Sequence, residues 1–302
     1  MTSPHQTTES QHNTPSNIKD GVLLVNKSPG EGSTFVLNRV KRALKLKHAG
    51  HGGTLDPFAE GLLLILIGKA TKLMDYYGNK KEYISQLRLG VSTTTDDPEG
   101  EVISEKDISG INETKIKEVL KNFEGKIIQK VPLYSAVKIN GKRLYKIARM
   151  GGSVTLPKRE VIIEKIELLD FSPPFLSIRT VVQRGVYLRA LARDIGKLLG
   201  CGAYLYQLKR TYVEPFSIEN AYTLDSIKAG NYHIILLKDT LPHLPVVTLM
   251  GENVYRFRHG GTIRGYYPEG LYFVKDKLDN PLGIGVGDTY ILKPRKVFNE
   301  GV

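Results

Sequence analysis

His51-Gly-Gly-Thr-Leu-Asp56-Pro-Phe-Ala-Glu-Gly-Leu-Leu63 sets an aspartate between a glycine pair and a proline, directly ahead of an apolar run. Pro57 fixes its own φ and biases Asp56 toward an extended backbone, while Gly52 and Gly53 reach angles closed to other residues. Such a segment can present one carboxylate at a defined angle. Two readings of Asp56 follow. As an N-cap it opens a buried helix with Pro57 at the first helical position and Leu62, Leu63, Leu66 and Ile67 on the apolar side. As a reactive group it is a carboxylate held out by a rigid turn, and one residue can serve both ends.

Outward from this stretch, Gly21 to Asn26 reads as a strand running into the loop Lys27-Ser-Pro-Gly-Glu-Gly. Ser33 or Thr34 is then placed to cap a helix over about Thr34 to Leu46, whose Arg39, Lys41, Arg42, Lys45 and Lys47 lie largely off its apolar side. Lys81 to Leu89 is strand-like, and Glu101-Val-Ile is expected to return against it as a hairpin. Asn112 to Phe123 has helical spacing, as do Tyr145 to Met150 and Tyr187 to Leu199, the last closing at Gly200. Lys126 to Gln129, Val161 to Phe171 and Leu176 to Gln183 read as strands. The pattern is α+β, with hairpins rather than regular βαβ units. Past the prolines at 242 and 245, short strands among many Gly and Tyr residues suggest a small β-rich domain over residues 245–302. Residues 19–244 form the main domain, and residues 1–18, polar and without a basic-then-apolar leader, read as a disordered tail.

The 302 residues carry 43 Lys plus Arg against 31 Asp plus Glu, a formal charge of +12 that favours an anionic partner. With one cysteine, Cys201, no intramolecular disulfide can form, and no Cys/His cluster has zinc-ligand spacing. A reduced, cytoplasmic setting follows as an expectation. No stretch of about 18 apolar residues points to a membrane span.

Four segments carry polar groups suited to chemistry or recognition. His51 precedes Asp56 by five residues, close within a folded loop and able to stack on or bond to a base. Tyr83 offers a flat ring and a phenol; the plainer reading is a core aromatic on a strand. In Gln183-Arg-Gly-Val-Tyr-Leu-Arg, Gly185 permits a tight entry to the helix and leaves Arg189 near its start, able to fork onto a carboxylate or phosphate or simply to lie on the surface. Finally, Tyr134 and Tyr145 interleave with Lys138, Lys142 and Arg143, a mixture suited to single-stranded nucleic acid, although those tyrosines can equally pack inward.

Taken in order, these segments resemble the TruB family of tRNA pseudouridine synthases. The resemblance rests on Gly21-Val-Leu-Leu-Val-Asn-Lys27, Ala49-Gly-His-Gly-Gly-Thr-Leu-Asp-Pro57, Leu89-Gly-Val-Ser-Thr-Thr-Thr-Asp96, Pro132-Leu-Tyr-Ser-Ala-Val-Lys138, Gly185-Val-Tyr-Leu-Arg189 and Leu208-Lys-Arg210. It implies a pseudouridine synthase fold with a mixed, mainly antiparallel central sheet flanked by helices, and a reaction that turns uridine 55 of the tRNA TΨC loop into pseudouridine without cofactor or metal. It also implies that Asp56 is catalytic, that Tyr83 stacks on the target uracil, that Arg189 pairs with Asp56, and that His51 contacts the remodelled RNA loop. Tyr187 joins the substrate-binding set, and Lys209 and Arg210 join Lys138, Lys142 and Arg143 as RNA contacts. The partner is then the T-arm and elbow of tRNA, bound by a monomer without guide RNA. Arg258-His-Gly-Gly and Gly283-Ile-Gly-Val-Gly are similar to a PUA-type RNA-binding module. The chain departs from the family pattern at Asn26, usually Asp, and at Ser28-Pro29, where proline comes one place late.

Overall fold

A computed structural model describes residues 20–135, 137–139, 141–144, 147 and 155–298; at 138, 139, 142 and 143 it describes the backbone alone. In chain order the strands are β1 Gly21–Lys27, β2 Ala49–His51, β3 Glu60–Ile67, β4 Lys80–Leu89, β5 Val91–Thr93, β6 Val102–Glu105, β7 Gly125–Lys130, β8 Lys138–Ile139, β9 Lys142–Arg143, β10 Lys158–Ser172, β11 Phe175–Gln183, β12 Ala203–Val213, β13 Phe216–Ser217, β14 Ile234–Leu236, β15 Val246–Leu249, β16 Ile263–Asp276 and β17 Pro281–Val297. The helices are α1 Ser33–Ala43, α2 Glu113–Lys121, α3 Leu188–Leu199, α4 Leu224–Lys228 and α5 Glu252–Arg258.

Ten strands form the central sheet, whose main path runs β14-β1-β3-β12-β4-β11-β10-β7, with β2 beside β3 and β13 beside β12. Every pairing is antiparallel except the short contact between β3 and β12. The expected mixed, mainly antiparallel sheet is therefore present.

The segment after Asp56 is where expectation and structure part. No helix starts at Pro57; Glu60–Ile67 is the strand β3, buried on both faces from Gly61 onward. Leu62, Leu64 and Leu66 enter one core with Phe273, Ile284 and Phe298, whereas Leu63, Ile65 and Ile67 enter another with Val36, Val40 and Leu44 near α1. A strand covered on both faces loses the alternation that would mark it, so a short apolar run fits helix and strand alike. The capping role of Asp56 goes with the helix. Ser33 likewise caps nothing: α1 starts after Gly32 without a side-chain cap. The return strand also differs, because β6 pairs with β5 rather than with β4.

Helices α2 and α3 form where the spacing places them, whereas α4 and α5 carried no expectation. Asn112 caps α2 through Lys115 N, and Gly200, at φ 86°, closes α3. The apolar faces of α2 and α3 cover one face of the sheet, where Ile116, Leu120, Leu191 and Ile195 meet Leu87, Ile163, Ile178 and Leu205. The small sheet β15-β16-β17 with α5 has its own core around Phe257 and Leu292, and Phe273 and Ile284 tie it to the central sheet. Of the helix expected at Tyr145 to Met150 only Ile147 is described, and the N-terminal tail lies outside the described residues.

One row of the register matters for the site. Lys27 faces Gly61 on β3, Gly61 faces Arg210 on β12, and Arg210 faces Tyr83 on β4. Gly61 has φ +104°, and a Cβ there would stand 2.3 Å from Arg210 O. Gly61→Ala should destabilise the fold by about 2 kcal/mol or more through backbone strain and clash. Gly110→Ala, where the added carbon meets nothing within 4 Å, should change stability by less than about 0.5 kcal/mol, both read by urea unfolding.

Candidate active site

β2, the loop from Gly52 to Ala59 and β3 make a hairpin, and Asp56 sits in its tip. Leu55 and Ala59 anchor the tip in the core, with Phe58 packed beside them, and hydrogen bonds to its backbone hold the rest. Ser33 Oγ donates to Leu55 O and accepts from Leu55 N, both at 2.9 Å. Asp56 O accepts from Ala59 N at 3.1 Å, closing a turn with Pro57 at its second position. Lys27 is fully buried and donates to Ser28 O, Glu31 O and Pro57 O, at 2.9, 2.6 and 3.1 Å, using all three ammonium hydrogens. Arg210 donates to Leu62 O at 2.7 Å and Gly53 O at 3.2 Å. The Ser28-Pro29 departure thus lies in a loop that wraps the Lys27 ammonium.

Arg189 arrives from the first turn of α3. Gly185, at φ 103°, turns the chain from β11 toward the helix, and Gln129 clamps Tyr187 by accepting from its N–H at 2.8 Å and donating to its carbonyl at 3.1 Å. From there Arg189 Nε meets Asp56 Oδ2 at 3.0 Å and Nη1 meets Asp97 Oδ2 at 3.1 Å. Two further hydrogens go to Thr95 O and Tyr134 O. The Asp97 side chain is 4% exposed, and its other oxygen takes hydrogen bonds from Thr95 Oγ1 and Glu99 N. Asp97 is thus buried and spent on its neighbours, whereas the Asp56 side chain keeps 36% exposure and points into a cavity.

That cavity, of about 260 Å³, is lined by Asp56, Arg189, Tyr83, Tyr187, Tyr134, Ser135 and Lys81 among others. Burial raises the Asp56 carboxyl above the usual aspartate range, the Arg189 guanidinium opposes that rise, and the Asp97 carboxylate adds to it. Burial, then attraction to Arg159 and Arg189, acts on the Tyr187 phenol, with a net rise. Burial, then repulsion from Arg210, pushes the His51 imidazole below its usual range. Among the described residues no group of three or more His, Cys, Asp or Glu side chains is placed to hold a metal ion, and no helix is long and apolar enough to cross a membrane.

The structure therefore brings Asp56, Arg189, Tyr83 and Tyr187 around one cavity, and places His51 at the base of the same hairpin. Tyr83 satisfies both of its readings, being 8% exposed in the core yet lining the cavity. Arg210 departs from its expected exposed role: at 1% exposure, with Nε on Leu62 O and Nη2 on Gly53 O, it supports the hairpin from within. Lys209 stays outside the Asp56 cavity, pairs with Glu60 at 3.8 Å, and lines a second cavity with Ile84, Gln86 and Gln207. The side chains of Lys138, Lys142 and Arg143 lie outside what is described; their backbones form the hairpin β8–β9. Sequence reasoning missed Asp97, Gln129, Ser33 and Lys81. The aspartate pair Asp96-Asp97 in a Thr-rich loop was the visible signal for the first, and the rest carry no local mark.

Comparison with known proteins bears on the same residues. A family model described as TruB family pseudouridylate synthase (N terminal domain) matches residues 41–188, and one described as tRNA pseudouridylate synthase B C-terminal domain matches residues 189–240. A tRNA pseudouridine synthase B of Burkholderia pseudomallei (strain 668) is 38% identical over 93% of this chain and 98% of its own. One from Francisella philomiragia subsp. philomiragia is 38% identical over 90% of this chain and 89% of its own. Among solved structures, the archaeal box H/ACA sRNP Nop10-Cbf5 complex matches in fold with a TM-score of 0.69 at 24% identity, over 93% of this chain and 87% of that one. A Cbf5-Nop10-Gar1 complex matches with a TM-score of 0.68 at 27% identity, over 93% of this chain and 84% of that chain.

Removing the opposing guanidinium has a definite sign. In Arg189→Gln the Asp56 carboxyl should titrate at higher pH than in the unsubstituted protein, because the largest influence holding it down is gone. Carbon-13 NMR of labelled aspartate carboxyls reads the shift directly, and a titration moved to lower pH would contradict the pairing.

Proposed function

The chain belongs to the TruB family of pseudouridylate synthases, and on that premise we propose that it converts uridine 55 in the TΨC loop of tRNA to pseudouridine. The enzyme is an isomerase, and the observation that carries the finer reading is the Arg189–Asp56 contact of 3.0 Å in a cavity shared with Tyr83. An RNA-binding protein without chemistry would need no such carboxylate, and no helix begins at Asp56 for it to cap.

The target base first leaves its stack, and contacts in the cavity offset that cost of a few kcal/mol. The uracil stacks on Tyr83, with Tyr187 beside it. Asp56 then acts as its carboxylate, either as the nucleophile at the sugar or as the base that takes a sugar proton. In both routes the N1–C1′ bond breaks with its electron pair going to uracil, the ring turns, and C5 bonds to C1′. The C5 proton leaves, N1 ends protonated, and Tyr83 assists the last proton loss. Atoms and electrons balance without an oxidant, reductant or cofactor.

The hairpin β8–β9, carrying Lys138, Lys142 and Arg143, meets the RNA backbone, as does Lys209 on its own face of the sheet. The β15-β16-β17 unit, over residues 245–302, serves as a PUA-like RNA-binding domain. Extracting a base from the folded elbow breaks tertiary contacts, so tRNA refolding accompanies the reaction. The enzyme works as a cytoplasmic monomer and takes no guide RNA.

Incubating the protein with unmodified tRNA and mapping pseudouridine by position tests this reading, which fails if position 55 stays uridine. Asp56→Asn should fold and bind the tRNA yet form no product; measurable turnover by it would remove Asp56 from the chemistry.

Because the Asp56 carboxyl is raised and must be ionised to act, kcat/KM should fall as pH drops through an apparent value above the ordinary aspartate range. Arg189→Lys should lose about 100-fold or more in single-turnover rate, since a point charge cannot span Asp56 and Asp97 together.

A further inference from the structure

Most cations buried around Asp56 already have partners in the protein. Lys27 is surrounded by three carbonyls, Arg210 spans Leu62 O and Gly53 O, and Arg189 lies between two carboxylates. Lys81 is different. It lines the same cavity, half-buried, and makes no hydrogen bond or ion pair among the described residues. Its ammonium lies 3.8 Å from where a Cβ on Gly53 would stand, so the glycine leaves the space above it open. Lys81 precedes Tyr83 by two positions on β4, and the two side chains leave the same face about 7 Å apart along the strand. Burial, helped by repulsion from Arg210 and Arg184, pushes the ammonium down to about 8.

A charge drawn out of water without a partner is unfavourable in the free protein. A methionine would fill the same volume without that penalty, so packing alone does not account for lysine here. The missing counter-charge then has to come with the ligand.

We propose that Lys81 is the anion-binding residue of the uridine pocket, its ammonium receiving a negatively charged oxygen of the flipped nucleotide. The inference rests on the pseudouridine synthase reading. Two oxygens of that chemistry are within the substrate's means. One belongs to a backbone phosphate, which the absence of a side chain at Gly53 lets close to the ammonium. The other is O2 or O4 of uracil, which takes up charge when the N1–C1′ pair moves onto the ring and loses it when C5 bonds to C1′.

The test uses the full chain with unmodified tRNA, comparing Lys81→Met and Lys81→Arg with the unsubstituted protein. Binding is measured against salt in the Asp56→Asn background, and single-turnover rate is measured at saturating enzyme with Asp56 intact. With a phosphate, Lys81→Met should weaken binding about 10-fold and reduce the slope of log affinity against log salt by about 0.7 to 0.9. The saturated rate should then stay within about twofold, and Lys81→Arg should restore the affinity. With a uracil oxygen, affinity and slope should hold while the saturated rate falls about 100-fold and Lys81→Arg recovers part of it. If Lys81→Met does not fold, Lys81→Gln takes its place. Affinity, salt slope and saturated rate all within about twofold of the unsubstituted protein would overturn the proposal. Absence of pseudouridine from the unsubstituted protein would instead defeat the reading beneath it, and the salt slopes would still stand by themselves.

Discussion

The register that sets Lys27, Gly61, Arg210 and Tyr83 in one row across four strands is the constraint on which the site depends. A row in a hydrogen-bonded sheet is hard to shift, because a slip of one residue would send every side chain on a strand to the opposite face. Here such a slip would carry Leu63, Ile65 and Ile67 out of one core and Leu62, Leu64 and Leu66 out of another. Hydrophobic burial of β3 therefore sets where Asp56 stands, although Asp56 itself takes no part in that burial. Gly61 completes the arrangement by admitting the backbone of Arg210, whose guanidinium turns back to the carbonyls of the same hairpin.

Lys27 and Arg210 perform one task by different chemistry. Both turn a buried charge toward protein carbonyls, which are dipoles, rather than toward a carboxylate. The carbonyls so engaged belong to the loop after β1, the Asp56 hairpin tip and the start of β3, and Pro57 O also accepts from Gly30 N at 2.8 Å. The arrangement also leaves the positive charge uncancelled close to Asp56, and attraction from Lys27 is among the influences opposing the rise of its carboxyl. Burial still prevails over that attraction and over Arg189. Asp56 is accordingly a carboxyl whose charged form burial opposes and Arg189 and Lys27 favour, with a net rise.

How much of this was readable in the residues depends on the distance over which each contact acts. Asn112 and Gly200 mark helix ends by local chemistry, and both ends lie where they were expected. The central sheet and the Asp56, Tyr83, Tyr187 and Arg189 set followed from motifs in order, and the cavity gathers all four. The apolar run after Asp56 was misread because burial on both faces erases the period that separates strand from helix. Arg210 was misread for a related reason. An arginine next to a lysine at the end of a motif looks like a phosphate contact, and only the pairing of β12 with β3 shows that it is enclosed. Gln129 lies 58 residues from Tyr187, so no local pattern could join the two.

Asp97 shows why one carboxylate of a pair can react while the other cannot. Both touch the same guanidinium, but Asp97 is nearly sealed, and its second oxygen is occupied by Thr95 and Glu99. Those bonds satisfy its lone pairs and hold it as a fixed negative charge. The fixed charge orients the Arg189 fork so that Nε, rather than a terminal nitrogen, faces Asp56. It also repels the Asp56 carboxylate and helps raise it. The same buried group thus acts twice: the aspartate that cannot reach the cavity gives direction to the arginine and adds to the basicity that burial chiefly gives the aspartate that can.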